Sequence, residues 1–184
     1  MIYCFLADGF EEIEAITTVD MIRRAGVEIS TVAVTEDKSL TVKGAHGIPV
    51  VADMHIDDCT KNDDLTGVFL PGGMPGTTNL DNSEKVRELV SYCAEKDRYL
   101  LAICAAPSVL GHMGLLEGKK ATCYPGFEDE LKGAVYTSQP AVQDGKIITG
   151  KGPGATVDFA SLIISALKSE ALASDLRSAM QCHE

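Results

Sequence analysis

Cys104 stands where a thiol can become a nucleophile. It closes the apolar run Tyr99-Leu100-Leu101-Ala102-Ile103 and is followed by Ala105-Ala106-Pro107. The small residues permit a tight turn. Proline suits a first helical turn, where its missing N–H costs nothing. A strand that hands a sulfur to a helix start has the geometry of a nucleophile elbow, although no G-x-S-x-G pattern is present. Unpaired N–H groups at such a start favour the thiolate and lower its pKa. Spacing alone leaves the plainer reading open, since free cysteines are commonly small core residues.

Three other segments carry groups that such a sulfur needs. Val68-Phe69-Leu70-Pro71-Gly72-Gly73 ends a buried strand in two glycines, which let backbone N–H groups approach a ligand closely. With the Ala105 N–H they would make an oxyanion hole; as a motif by itself the segment reads as a tight turn. Asp8-Gly9-Phe10-Glu11-Glu12-Ile13-Glu14 puts acids where a nucleotide site would put glycines, and so disfavours phosphate binding. Glu14 lies beyond the first turn of the helix leaving the first strand. It either leans over the strand ends toward Cys104 as a proton-transfer group or is a solvated helix glutamate. Gly150-Lys151-Gly152-Pro153-Gly154 precedes a helix and reads equally as an anion site or a loop. The histidines are His46, His55, His112 and His183, and none adjoins Cys104 in sequence. The six cysteines show no zinc-type spacing, so no metal is expected.

The elements that must position these groups alternate. Ile2-Leu6 is a short buried strand. The helix Glu11–Ala25 carries an inward stripe of Ile13, Ile16, Val19 and Ile22, acids at its start, Arg23-Arg24 in its last turn and Gly26 after it. A second strand spans Glu28-Val34, and Leu40-Val42 with Ile48-Val51 make a hairpin around Gly44-Ala45-His46-Gly47. Val68-Leu70 and Tyr99-Ile103 are further strands, with a Ser83-capped helix through about Glu95 between them. A broken helix covers Pro107–Leu116. Short strands near 121–124, 134–136 and 146–149 precede helices at 155–167 and about 170–180. This order predicts a doubly wound, mostly parallel sheet with helices on both faces, in one domain over residues 1–184. Ligands in such folds bind at the carboxyl ends of the strands, which groups Gly9, Gly72-Gly73 and Cys104.

Composition narrows the partners. A net charge of −11 argues against nucleic acid and against a basic membrane-binding face. No apolar run approaches the length of a membrane span, and the first strand lacks the flanks of a signal peptide, so the expectation is a cytoplasmic protein with reduced thiols.

Taken in order, these segments resemble the ThiJ/PfpI superfamily, in its Parkinson-disease-protein (deglycase-like) branch. The residues that carry the resemblance are Glu11-Glu12-Ile13-Glu14, Val19-Asp20, Arg23-Arg24-Ala25-Gly26, Leu70-Pro71-Gly72-Gly73, Ala102-Ile103-Cys104-Ala105-Ala106-Pro107, Gly152-Pro153-Gly154-Ala155-Thr156 and Asp158-Phe159-Ala160. The resemblance implies a flavodoxin-like fold related to class I glutamine amidotransferases, a homodimer and no cofactor. It implies that Cys104 is an oxidation-prone nucleophile, Glu14 a protonated acid hydrogen-bonded to it, and Gly73 and Ala105 the backbone donors. Gly72, Ala106, Tyr124, Gly152 and Pro153 would line the pocket, and His46 would reach toward the partner subunit's site. Three positions depart from the pattern. Ala105 stands where the protease-like branch has histidine, which argues against a peptidase. Tyr124 stands where many relatives have histidine, which leaves Glu14 as the main proton-transfer group. Lys151 replaces a frequent arginine. The implied activity is cofactor-free conversion of 2-oxoaldehydes such as methylglyoxal, or of their early adducts. The competing reading is an oxidative-stress sensor or chaperone whose Cys104 is oxidised to sulfinic acid.

Overall fold

A computed structural model describes residues 1–182; His183 lies outside them. The chain opens with β1 (Ile2–Leu6), α1 (Glu12–Arg24) and β2 (Ile29–Ala33). A hairpin of β3 (Thr41–Lys43) and β4 (Pro49–Val51) follows, then β5 (Met54–His55) and β6 (Gly67–Leu70). The next stretch is α2 (Gly76–Asn82), α3 (Glu84–Glu95), β7 (Tyr99–Ile103) and α4 (Pro107–His112). Strands β8 (Lys120–Ala121), β9 (Val135–Tyr136), β10 (Ala141–Asp144) and β11 (Ile147–Gly150) lead to α5 (Thr156–Leu167) and α6 (Glu170–Ala179).

The main sheet has seven strands in the order β10-β11-β7-β6-β1-β2-β5. Only β10 runs antiparallel to its neighbour. The chain moves from β1 to β2 on one side and then returns to β6 on the other. That reversal opens a crevice above β1 and β6, the place where such sheets bind ligands.

Side-chain alternation along β1 feeds two cores. Ile2, Cys4 and Leu6 join Ala15, Val19 and Ile22 of α1 and Phe159 and Ile163 of α5 on one face. Tyr3, Phe5 and Ala7 join Val86, Leu89, Val90 and Cys93 of α3 and Val109 and Leu110 of α4 on the other. Helix α3 starts where its sequence says: the Ser83 side chain accepts from the Val86 N–H.

Helix α1 departs from the expected stripe. Val19 and Ile22 are buried, but Ile13 is 54% and Ile16 41% exposed. The inward face is Glu14, Ala15, Thr18, Val19 and Ile22. The helix begins at Glu12, so Glu14 lies in its first turn and not beyond it. A bond from the Gly72 N–H holds Glu14 inward, and this rotation turns Ile13 and Ile16 outward.

A charge clamp ties the second layer together. His112, the last residue of α4, offers Nδ1 to Asp81 Oδ2 at 2.6 Å and Nε2 to Glu130 Oε2 at 2.8 Å. Arg87 of α3 bonds the other Asp81 oxygen at 2.6 Å. Both ring nitrogens face carboxylates, so imidazolium is favoured and the His112 pKa is raised, through the Glu130 bond first and the Asp81 bond next. Stability from a raised histidine is full below its unfolded value of about 6.5 and is lost as pH rises through the folded pKa. The urea midpoint of His112→Asn is expected to fall further below wild type at pH 6 than at pH 9. An equal deficit at both values would show that the ring acts without its second proton.

Candidate active site

Cys104 occupies the elbow with φ +66°, in the left-handed region that residues with a Cβ seldom adopt. Its N–H donates to Gly150 O at 2.9 Å, and its carbonyl accepts from the Tyr124 N–H at 2.8 Å. Strand β11 on one side and the segment before β9 on the other therefore fix the turn. The backbone N–H groups of Gly73 and Ala105 both point to the sulfur. This is the donor pair expected from the glycine turn and the helix start. Gly73 has φ +89°, and a Cβ there would lie 2.4 Å from the Glu11 nitrogen. Only glycine lets β6 end this close to α1.

Glu14 is fully buried, as a proton-transfer residue needs and as a solvated helix glutamate would not be. Its Oε2 accepts from the Gly72 N–H at 2.8 Å, and the carboxyl faces the Cys104 side chain across Gly72. Oε1 has no conventional partner among the described residues. Burial raises its pKa to about 7, against the Cys104 side chain and the Gly72 hydrogen bond, and the charge of Glu11 adds to the rise.

Burial also pushes the Cys104 thiol up, and the Glu14 carboxylate pushes it further, while the Ala105 and Gly73 N–H groups pull it down. The sequence expectation of a thiol simply depressed by a helix start is corrected here. Helix α4 has six residues, and the enclosing walls outweigh the Ala105 and Gly73 amides. Thiolate and carboxylate each disfavour the other's charge, so the pair titrates as a unit that shares a proton.

The remaining candidates separate. Gly72 lies between the two reacting groups: a Cβ there would come within 2.6 Å of Cys104 Cβ and 2.7 Å of Glu14 Oε2. Tyr124, 47% exposed, adjoins Cys104 through its backbone, and its ring packs on Gly152. Tyr124, Gly152 and Pro153 line one cleft of about 350 Å³ with Lys151, whose Nζ reaches Ser138 O at 3.4 Å. Ala106 is not on that cleft. It is fully buried in the core on the α3–α4 face, because the turn after Cys104 directs it inward.

His46 is on the hairpin tip, 69% exposed at its side chain, and bonds Glu12 Oε2 through Nδ1 at 2.9 Å. The sequence reading passed over Glu12. Its Oε1 accepts from the His46 N–H at 2.8 Å, so it anchors the hairpin to α1. A Cβ on Gly44 would lie 2.3 Å from the Glu12 carboxyl, and that glycine was the available signal.

Comparison with known proteins agrees with this geometry. The model of the DJ-1/PfpI family matches residues 1–166. Protein DJ-1alpha of Drosophila melanogaster is 35% identical over 177 residues, covering 95% of this chain and 81% of that protein. The Parkinson disease protein 7 homolog of Danio rerio is 32% identical over 175 residues, covering 94% and 92%. Protein DJ-1 homolog B of Arabidopsis thaliana is 38% identical over 165 residues. The chain spans only 37% of that protein's length, and 41% of the Arabidopsis homolog A. Among solved structures, a cysteine-to-alanine mutant of a DJ-1 superfamily protein from Salmonella typhimurium superposes with a TM-score of 0.92 at 32% identity, covering 100% of this chain and 98% of that one. Oxidized DJ-1 of Toxoplasma gondii gives 0.92 at 30%, covering 98% and 97%. The sheet order, the strained cysteine and its glutamic acid thus sit in a chain that belongs to the DJ-1/PfpI family.

Proposed function

We propose that this protein converts 2-oxoaldehydes such as methylglyoxal to 2-hydroxy acids without a cofactor, by a glyoxalase III-type route through Cys104 and Glu14. The observation that carries the reading is the buried Glu14 carboxyl facing Cys104 across Gly72, with the Gly73 and Ala105 N–H groups converging on the same sulfur. Such a pair with one proton has a reactive form in which Glu14 holds it and the sulfur is anionic. The oxygen Oε1, buried without a donor, favours that form.

The sulfur adds to the aldehyde carbon, and the new oxyanion takes the Glu14 proton. The carboxylate then removes the proton from the same carbon to give an enediol, the hydroxyl proton of that carbon passes to the former ketone oxygen, and Glu14 returns its proton to the adjacent carbon. One carbon is oxidised and its neighbour reduced, leaving a 2-hydroxy thioester. Water cleaves the carbon–sulfur bond, and lactate and the free sulfur result. The Gly73 and Ala105 N–H groups stabilise negative charge as it moves between sulfur and oxygen. Lactate formation from methylglyoxal by purified protein, without glutathione, is the test. No lactate above the buffer rate would end this reading.

A redox sensor is the second reading, favoured by the oxidized state of the Toxoplasma relative. Under it, mild peroxide converts Cys104 to sulfinic acid, and Glu14 hydrogen-bonds the product. Cys59 and Cys182 are more exposed, while Cys4, Cys93 and Cys123 are buried. Peptide mass spectrometry is expected to find Cys104 modified ahead of all five. Earlier oxidation of Cys59 would indicate that access, not the site, decides.

The protein is further proposed to be a homodimer. Ile13 and Ile16 of α1 and Ile48 and Val51 of the hairpin expose apolar side chains (54, 41, 55 and 71%) on adjoining elements. Apolar side chains gathered in this way mark an interface. Under this reading His46 lies at the edge of the contact and reaches toward the partner subunit's site. Light scattering is expected to give twice 19.6 kDa, and Ile48→Glu with Ile16→Glu to give one unit. A monomeric wild type would remove both the dimer and that role for His46. Among the described residues no helix is long and apolar enough to cross a membrane. A cytoplasmic location is part of the same proposal.

A further inference from the structure

We propose that His112 is a positioning residue for the Cys104 site, whose imidazolium holds the segments that carry the Gly73 and Ala105 N–H donors in register with the sulfur. The donors are those of the proposed reaction; the identity of the aldehyde does not enter.

Two circuits of bonded chain meet at this ring. The first leaves the sulfur along α4. The Ala105 carbonyl accepts from the Ser108 N–H at 3.1 Å and from the Ser108 hydroxyl at 2.7 Å, which fixes the start of the helix, and His112 is the last of its six residues. From Nε2 the circuit crosses 2.8 Å to Glu130, at the end of the turn Glu128–Glu130. It returns through the Glu130 N–H to Phe127 O and the Phe127 N–H to Tyr124 O, both at 3.1 Å, and then through the Tyr124 N–H to Cys104 O at 2.8 Å. A Cβ on Gly111 would lie 2.2 Å from Glu130 O, so α4 and this turn are in direct contact. The second circuit crosses 2.6 Å from Nδ1 to Asp81 of α2. The first turn of α2 is tied to the Gly73 carbonyl by the Thr77 N–H at 2.9 Å. One imidazole thus joins the far ends of the two helices that follow the donors.

The joint needs the ring's charge. Both ring nitrogens donate only in imidazolium. The charged groups that face the ring are Asp81 of α2 and Glu130 of the turn, and Arg87 of α3 bonds Asp81. With His112 protonated, these four charges cancel. Without that proton a net negative charge remains, and one nitrogen turns a lone pair toward a carboxylate, which repels it. The side chains of His112 and Asp81 are 30% and 22% exposed, so water replaces the lost bond only in part. The joint is closed below the raised His112 pKa and loosens above it.

The test is the rate at which iodoacetamide alkylates Cys104 between pH 6 and pH 9, read by mass spectrometry of its peptide. It is run on wild type, His112→Lys and His112→Asn, each well below its melting temperature. Lysine keeps a cation through this range, and asparagine has none. Dividing each rate by that of His112→Lys at the same pH removes the titration of the Cys104 and Glu14 pair itself. The wild-type ratio is expected to be near one at pH 6 and to fall about threefold by pH 9, on the scale of coupling carried through packed elements. His112→Asn should stay at the lower value throughout, so the ratio of wild type to His112→Asn reports the same fall independently. The fall should persist in about 1 M potassium chloride, which screens a charge field along α4 but not bonded contacts. A flat wild-type ratio would overturn the proposal even if His112→Asn were slow at every pH, since the ring would then be merely structural. The same fall in His112→Asn would assign it to another group, and its loss in salt would assign it to a charge field. Lactate is not read in this experiment, so failure of the proposed reaction and failure of the positioning role are told apart.

Discussion

Glu14→Gln is expected to lower methylglyoxal turnover by about a hundredfold or more, the usual scale of general acid–base catalysis. The amide keeps the shape of the acid. Its carbonyl still accepts from the Gly72 N–H, now at 2.8 Å from Oε2, and its NH2 faces the sulfur in place of the acid. What it loses is the exchangeable proton. The carbanion-forming step therefore lacks a base, while the thiol keeps its Gly73 and Ala105 donors. Iodoacetamide should accordingly alkylate Cys104 in the variant. Full turnover by Glu14→Gln would remove Glu14 from the mechanism. Lost alkylation together with lost turnover would show instead that Glu14 shapes the sulfur's environment without moving a proton in the reaction.

The site was legible where a local pattern dictated a local structure. A strand run ending in Cys-Ala-Ala-Pro predicts an elbow, and the positive φ at Cys104 is that elbow. The Gly72-Gly73 turn announces a close approach, and its glycines are the ones that lie against Cys104, Glu14 and Glu11. The parallel order followed from the spacing of strands and helices.

What escaped the sequence depends on contacts between distant segments. Periodicity assigns an apolar stripe to α1 but does not know that Gly72 captures Glu14 from 58 positions away, and that capture set which face went inward. Helix α2 is short, rich in glycine, threonine and asparagine, and begins after Pro75, so propensity gave no sign of it. Strand β10 had a sign that was missed: Gly145, at φ +62°, opens the two-residue turn Gly145-Lys146 that pairs Asp144 with Ile147. The Cys104 pKa could not be read from an N-terminal helix rule, because the enclosing walls and the Glu14 charge outweigh that term.

Cys104→Ser is expected to abolish turnover altogether. A serine alcohol titrates far above a thiol and needs a base to attack a carbonyl. Glu14 sits beside it, but a carboxyl with a pKa of about 7 is a poor match for taking an alcohol proton. Tyr124, beside the elbow, meets Cys104 through its backbone N–H and offers no imidazole. His112 is held by Asp81 and Glu130, and His46 by Glu12, so neither is free to activate the alcohol. The smaller oxygen also sits farther from the Gly73 and Ala105 donors than sulfur does. The fold itself should survive, since serine keeps the backbone bonds to Gly150 and Tyr124 and the same strained φ. A Cys104→Ser protein with a wild-type melting temperature and no lactate formation would place the chemistry on the sulfur. Residual turnover within tenfold of wild type would mean that another group forms the carbon bond.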